Sequence, residues 1–259
     1  MSRAISNSKF RIPKQVRARH VSRFTFHASL PFVLINMAMT ADGKIATANR
    51  AISTFGSKRD HDHLLELRAT ADAVMAGART VDSAKVNLGP GPVKFRRQRI
   101  KRGLAEFNLR IIASRSGTVN PDAEIFQHNF SPIIILTTRR ATAGKLKRLR
   151  ALATEVRICG TREINFRQAI HWLQKKWGMQ RLLCEGGGEL NDALFRAGLV
   201  DEVHLTLCPK IFGGRNAPTI ADGIGFQKLA NAALFKIKSM KRLGGELFLV
   251  CEVQRRLSA

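Results

Sequence analysis

Short apolar runs stop at glycine or a small polar residue and give way to helix-forming stretches along most of this chain. ADAVMAG ends at Gly77, LRIIAS spans 109–114, IIILTT spans 133–138, and RLLC runs into Glu185. Such continuous runs are the mark of strands buried on both faces, which helices must then cover from both sides. The helical stretches agree. Ser57 and Asp60 have capping-box spacing ahead of Leu64, Leu65, Leu67 and Ala69. ATAGKLKRLRALA forms a second helix before the strand VRIC. Asn165 suits the N-cap of a third, where Phe166, Ala169, Ile170, Leu173 and Trp177 recur at helical spacing. Leu190, Ala193, Leu194 and Ala197 form the inner stripe of a fourth. PFVLINM opens the series as a strand, and EVHLTLC and ELFLVCEV close it, the latter after a turn at Gly244-Gly245. The pattern predicts an α/β fold: a mostly parallel central sheet with antiparallel C-terminal edge strands and helices on both faces. Residues 85–106, rich in glycine, proline and basic side chains, break the rhythm and read as a long surface loop. No repeat or linker divides the chain, so 30–255 is expected to be one domain.

Charge narrows the partners. The 44 lysines and arginines outnumber 19 acids, for a formal charge of +25. Seven of those cations lie in residues 1–41, which hold no acid at all, and without them the body still carries +18. Nucleic-acid contact, recognition of phosphorylated small molecules, and a generally basic background all fit. The tail, 1–29, has the acid-free, Arg- and Ser-containing make-up of a transit peptide. It lacks the apolar core of a secretory signal, and a disordered basic tail is the expectation. No apolar run is long enough to cross a bilayer. Cys159, Cys184, Cys208 and Cys251 each sit in or beside an apolar run with no C-x-x-C among them, as reduced thiols buried in a cytoplasmic protein would. Asp60-His61-Asp62-His63 with Glu66 looks metal-binding on paper. On a helix, however, His61 and His63 diverge by about 200°, so no metal site is expected.

Two corners carry the chemistry. In VMAGART a buried strand stops at Gly77 and puts Arg79 and Thr80 at the start of a helical turn. In LLCEGGGEL a strand ends in Glu185 and runs through Gly186, Gly187 and Gly188 into a helix that begins with Glu189. Bare backbone at a helix N-terminus, with a hydroxyl and a guanidinium at hand, suits a phosphate, and two such corners could grip one dinucleotide. A tight turn with a surface arginine is the bland alternative. The second corner is not a Rossmann fingerprint: Asn191 stands where the third glycine should, and Asp201-Glu202 would begin rather than end the next strand. Ser114-Arg115 and Thr138-Arg139 fall at strand ends where a 2′-phosphate could dock, or where surface charge would simply sit.

GARTVDS resembles the glycine–arginine–threonine corner that binds NADPH in dihydrofolate reductase-like proteins. EGGGELNDALFRAGLVDEV, with PKIFGGRNAPTIADGIGF after it and NMAMTADGKIA near the start, is similar to the riboflavin-pathway reductases. These include the carboxy-terminal domain of the bacterial bifunctional deaminase-reductase. The Gly213-Gly214, Ala217-Pro218-Thr219 and Asp222-Gly223 pattern looks most like the stand-alone archaeal and fungal enzymes. The likeness covers roughly residues 31–253. It implies a dihydrofolate reductase-like fold, NADPH as cofactor, a homodimer, and reduction of a phosphoribosylamino-pyrimidine to its ribitylamino form. Gly77, Arg79, Thr80 and Gly186 to Glu189 would face NADPH, with Ser114 and Arg115 toward its 2′-phosphate. Asn36, Thr40, Asp42 and Arg68 would line the substrate side. The resemblance also implies a cis peptide at Gly186–Gly187. Glu185 and Lys44 are the candidate catalytic groups, and the sequence leaves open which supplies the proton. One departure touches the substrate: where the family continues into D-D-P-x-L-T, this chain has Ala84-Lys85-Val86-Asn87-Leu88-Gly89. No H-x-E…P-C-x-x-C deaminase signature is present. Two alternatives remain, a reductase of another heterocycle such as dihydrofolate, and a basic nucleic-acid-binding protein on a reductase scaffold.

Overall fold

The computed structural model describes residues 30–50, 55–83 and 85–254; the basic tail expected over 1–29 lies outside them. The elements run β1 (Phe32–Thr40), α1 (Lys58–Arg68), β2 (Ala73–Gly77), α2 (Ala78–Ser83), α3 (Val93–Lys101), β3 (Leu109–Ala113), β4 (Ile133–Thr137), α4 (Ala143–Leu152) and β5 (Glu155–Ile158). Then follow α5 (Phe166–Trp177), β6 (Arg181–Cys184), α6 (Gly188–Arg196), β7 (Glu202–Cys208), β8 (Leu234–Leu243) and β9 (Glu246–Gln254). Among the described residues they build one sheet in the order β5-β4-β3-β2-β6-β1-β7-β9-β8. Every pairing from β5 to β7 is parallel, and β9 and β8 add antiparallel to that edge.

Both faces are covered, as the continuous apolar runs require. On one, α5 and α6 press Phe166, Ile170, Leu173, Leu190 and Leu194 against Val33, Ile35, Met75, Ile111 and Leu182. On the other, Leu67 of α1, Val81 of α2 and Leu149 of α4 meet Leu34, Val74, Ile112, Ile135 and Leu183. The capping signals act as read: the Ser57 hydroxyl accepts from Asp60 N–H, and the Asn165 side chain from Gln168 N–H. All four cysteines are free and buried, and burial pushes the Cys184 and Cys208 thiols up to about 12.

One expectation needs correction, and one strand escaped the sequence reading. The segment 85–106 is not a plain surface loop, because it contains α3. Phe95 and Arg99 turn inward from that helix and are buried, while Arg96 pairs with Glu106 at 2.7 Å. Arg99 and Arg96 are therefore engaged within the protein, while Lys85, Lys94, Arg97, Lys101 and Arg102 stay exposed. The antiparallel C-terminal edge is as expected: β7, parallel to β1 on one side, pairs antiparallel with β9 on the other. The outermost strand, β8, went unread: LFKIKSMKRL is exposed along nearly all its length, so no buried face marks it in the sequence.

Beside the packing of Leu67, α1 meets the sheet through polar contacts. Ser57 donates its N–H and hydroxyl to Glu246 at 2.8 and 2.6 Å, His63 Nε2 lies 3.1 Å from His204 Nδ1, and Arg68 pairs with Glu185. His204 Nε2 in turn lies 2.8 Å from Glu202. Burial, then the neighbouring His204, pushes the His63 pKa below its ordinary value of 6.5. The sign of the linkage follows. Below about pH 6.5 the unfolded chain protonates His63 while the folded one resists, so stability falls with pH until the folded pKa is passed. The loss of melting temperature between pH 7 and pH 5 should therefore be smaller in His63→Gln than in wild type. Equal losses would contradict it.

Candidate active site

The C-terminal ends of β2 and β6 lie side by side, and both sequence corners are there. Gly77 N–H donates to the Gly186 carbonyl at 2.9 Å, and one step back Glu185 N–H donates to Met75 O at 2.9 Å. The Gly186–Gly187 peptide is cis. Gly186 has φ +81°, and a Cβ there would meet Met37 Sδ at 2.6 Å, so only glycine suits the position. A Cβ on Gly77 would make only ordinary contact, its nearest atom being the Gly186 carbonyl oxygen at 3.8 Å, whereas one on Gly187 would crowd Thr80 Oγ1 at 3.3 Å. Gly187 caps α6 without a side-chain bond, which leaves first-turn N–H groups to an outside acceptor. Across the two corners Arg79 Nη2 reaches Glu189 at 2.8 Å. That pair is well exposed, so it holds little energy and can exchange for a ligand.

Beside these corners lies a second group. Arg68 forks onto Glu185, Nε to Oε1 and Nη2 to Oε2, each at 2.6 Å, and both side chains are about nine-tenths buried. Arg68 Nη1 donates to Gly89 O at 2.7 Å. Arg68 is therefore no surface cation. Ile35 pairs with Cys184 in the β1–β6 register, so Asn36 and Glu185, the next residues, are neighbours. Asn36 is buried, and its Oδ1 has no hydrogen-bond partner.

At the end of β1 the polar residues of MTADGK organise one another. Lys44 N–H donates to Thr40 Oγ1 at 2.9 Å, and that hydroxyl donates to Asp42. Asp42 also accepts from the N–H groups of Phe212 and Gly213. The Thr40 hydroxyl is the main cause that holds the Asp42 carboxyl below the usual carboxylate range. Lys44 Nζ donates to Ala217 O at 3.1 Å, and Lys44 bridges to Thr219. These bonds fasten the 211–219 loop, with its paired glycines, over the end of β1. Ser114 and Arg115 follow β3, next to β2. The Ser114 hydroxyl donates to Thr118 O, and Arg115 pairs with Glu163 at 2.8 Å. Glu163 is the main cause that raises the Arg115 pKa, with a smaller contribution from Glu189, so Arg115 is within electrostatic reach of the α6 corner.

The fold thus brings Gly77, Arg79, Thr80 and Gly186 to Glu189 together, and sets Asn36, Arg68 and Glu185 beside them. Thr40, Asp42 and Lys44 sit at the end of the same strand as Asn36. Ser114 and Arg115 lie one strand beyond β2, Ser114 bonded within its own loop and Arg115 paired with Glu163 of the segment before α5. Sequence reading missed the Gly89 carbonyl, a main-chain atom that carries no residue-type signal. Thr219 and Asp222, singled out there only as part of a pattern, form a turn behind Gly188. No cluster of metal-ligating side chains occurs among the described residues, and none of their helices is long and apolar enough to cross a membrane.

The family described as the RibD C-terminal domain matches residues 31–249. The 2,5-diamino-6-ribosylamino-4(3H)-pyrimidinone 5′-phosphate reductase of Methanothermobacter thermautotrophicus is 32% identical over 219 residues, which cover 85% of this chain and 96% of that one. Among solved structures, Acinetobacter baumannii RibD superposes with a TM-score of 0.68 at 20% identity; the match covers 88% of this chain but 59% of RibD. A pyrimidine reductase-like protein from Corynebacterium diphtheriae gives 0.71 at 22% identity, covering 87% of this chain and 93% of that one.

Gly188 tests the packing of the second corner. A Cβ there would lie 2.7 Å from Thr219 O and 2.9 Å from Asp222 N, both main-chain atoms that cannot swing aside. Gly188→Ala should destabilise by about 1–3 kcal/mol, the range for overpacking. Gly144→Ala, with open space around its Cβ on α4, should not destabilise. Thermal melting of the two variants distinguishes them.

Proposed function

The chain belongs to the RibD C-terminal domain family, the pyrimidine reductases of riboflavin biosynthesis, and on that footing we propose that it uses NADPH to convert a phosphoribosylamino-pyrimidine to the ribitylamino form. The observation that carries the cofactor reading is the Gly77–Gly186 hydrogen bond, which sets two bare-backbone corners edge to edge. The residues suit a dinucleotide. Gly77 and Gly187 put no side chain between a ligand and the main chain, Thr80 offers a hydroxyl, and the α6 N-terminus offers N–H groups to a diphosphate. NADPH, when bound, supplies the hydride.

The substrate accepts that hydride at C1′ of its ring-opened imine, and the nitrogen takes a proton. Asn36 Oδ1, buried and unpartnered, suits an N–H of the substrate. Glu185 accepts two bonds from Arg68 and offers no O–H in this arrangement, which favours a charge-holding role for the pair. Lys44, an ammonium with three donors, one of them on Ala217 O, is then the better proton source. The excess of cations suits two polyanionic ligands.

We also propose a homodimer. β8 is the outer edge strand and exposes Leu234, Ile237 and Met240, which a second copy would cover. The free, buried thiols support a reducing, cytoplasmic location.

Purified protein mixed with NADPH and the ribosylaminopyrimidine phosphate should consume the reduced nicotinamide. Lys44→Ala should lower kcat by about 10²–10⁴-fold, the usual contribution of a positioned acid. Glu185→Gln strands the Arg68 charge and should raise the pyrimidine KM roughly tenfold or more. Folded wild-type protein that consumes no NADPH with this substrate would overturn the proposal.

A further inference from the structure

The segment 85–106, which contains α3, does more than fill space. It grips the last turn of α1, the turn that presents Arg68. Arg99 of α3 is 1% exposed, yet its guanidinium is well supplied with acceptors. Nη1 donates to the carbonyls of Arg68 at 2.6 Å and Ala71 at 2.5 Å, and Nε donates to Ala105 O at 2.9 Å. Carbonyls at a helix C-terminus lack intrahelical partners and sit at the negative end of the helix dipole, so a cation there satisfies both needs. Burial lowers the Arg99 pKa to about 10, with Asp72 opposing, so the group stays charged at neutral pH.

The same segment holds the Arg68 side chain. Gly89 O accepts from Arg68 Nη1 at 2.7 Å. Two side chains fix that carbonyl: Asn87 Oδ1 accepts from Gly89 N–H at 2.9 Å, and Asn108 Nδ2 donates to Leu88 O at 2.8 Å. Leu88 is fully buried with φ +56°, a conformation that costs about 1 kcal/mol or more outside glycine and persists only where neighbours impose it. Phe95 packs with Leu65 and Ala69 of α1, and a Cβ on Gly91 would meet Leu65 at 2.9 Å, so the two pieces are closely fitted.

We propose that Arg99 is a positioning residue for substrate recognition: it fixes the main chain at Arg68 while the Gly89 carbonyl fixes the guanidinium, and together they aim the Arg68 fork at Glu185. The inference rests on the reading of Arg68 and Glu185 as the substrate side of the reductase. A cap with no functional reach would lower the melting temperature and leave the kinetics alone. A positioning role moves one Michaelis constant and spares the other.

The test uses the full chain and three variants, Arg99→Gln, Arg99→Lys and Asn87→Ala. Arg99→Gln should raise the pyrimidine KM about tenfold, with kcat and the NADPH KM within about threefold of wild type. Arg99→Lys, which keeps the charge and can reach one carbonyl, should recover part of that loss. Should Arg99→Gln fail to fold, Asn87→Ala decides, since it removes only the anchor of Gly89; it should raise the pyrimidine KM by a smaller factor. An unchanged pyrimidine KM in a folded variant overturns the proposal, as does a parallel rise in both constants. A second readout needs no turnover. The NMR resonance of Arg68 Nε–H should shift or broaden in Arg99→Lys and Asn87→Ala, and an unmoved resonance overturns the proposal even if the wild type proves inactive. Wild-type inactivity with a shifted resonance would instead count against the reductase reading alone.

Discussion

One hydrogen bond, from Gly77 N–H to the Gly186 carbonyl, joins the ends of two parallel strands at the point where each turns into a helix. Much of the site follows from it. With β2 and β6 tied at that level, Thr80 comes within 3.3 Å of the Cβ position of Gly187, and the starts of α2 and α6 share one cleft edge. In parallel sheets the strand ends are where helix N-termini gather and where ligands meet exposed N–H groups. The glycines keep that edge free of side chains. Substitution at Gly186 or Gly188 would push into Met37 or the Thr219–Asp222 turn, so the corner is held from behind as well as across.

Electrostatics sets the other wall of the cleft. The Arg68–Glu185 pair is nearly buried, and a buried pair repays its desolvation only when its geometry is good and its remaining donors are satisfied. Both conditions hold: the fork is symmetric at 2.6 Å and Nη1 finds Gly89 O. The end of α1 that carries Arg68 is in turn capped by Arg99. The segment 85–106 thus supplies structural support to the Arg68–Glu185 pair from behind.

Legibility in the sequence followed the physics of each element. VMAG, LRIIA, IIILT and RLLC were readable because strands covered on both faces are apolar at nearly every position, Arg110 being a buried exception. The two corners were readable because bare backbone next to a helix start calls for glycine, and the 184–226 stretch added a family likeness. β8 was not readable, since its exposed residues obey no burial period. α3 was hidden for a related reason: only Phe95 and Arg99 face inward on it, and an inward arginine looks like a surface one in a string of letters. The His63–His204 contact joins residues 141 positions apart, and the Gly89–Arg68 contact uses a carbonyl every residue possesses. The Arg68–Glu185 pair itself had no sequence signal: Arg68 was read as a substrate-side residue and Glu185 as a catalytic candidate, with nothing to join them.

The account stands or falls on what those joined corners hold. The most direct measurement is a crystal structure of the full chain grown with NADPH. It should show the diphosphate between Thr80 and the first turn of α6, with the nicotinamide ring turned toward Glu185. Coenzyme bound elsewhere on the molecule, with Gly77 and Gly186 still in contact and the cleft beside them empty, would contradict it.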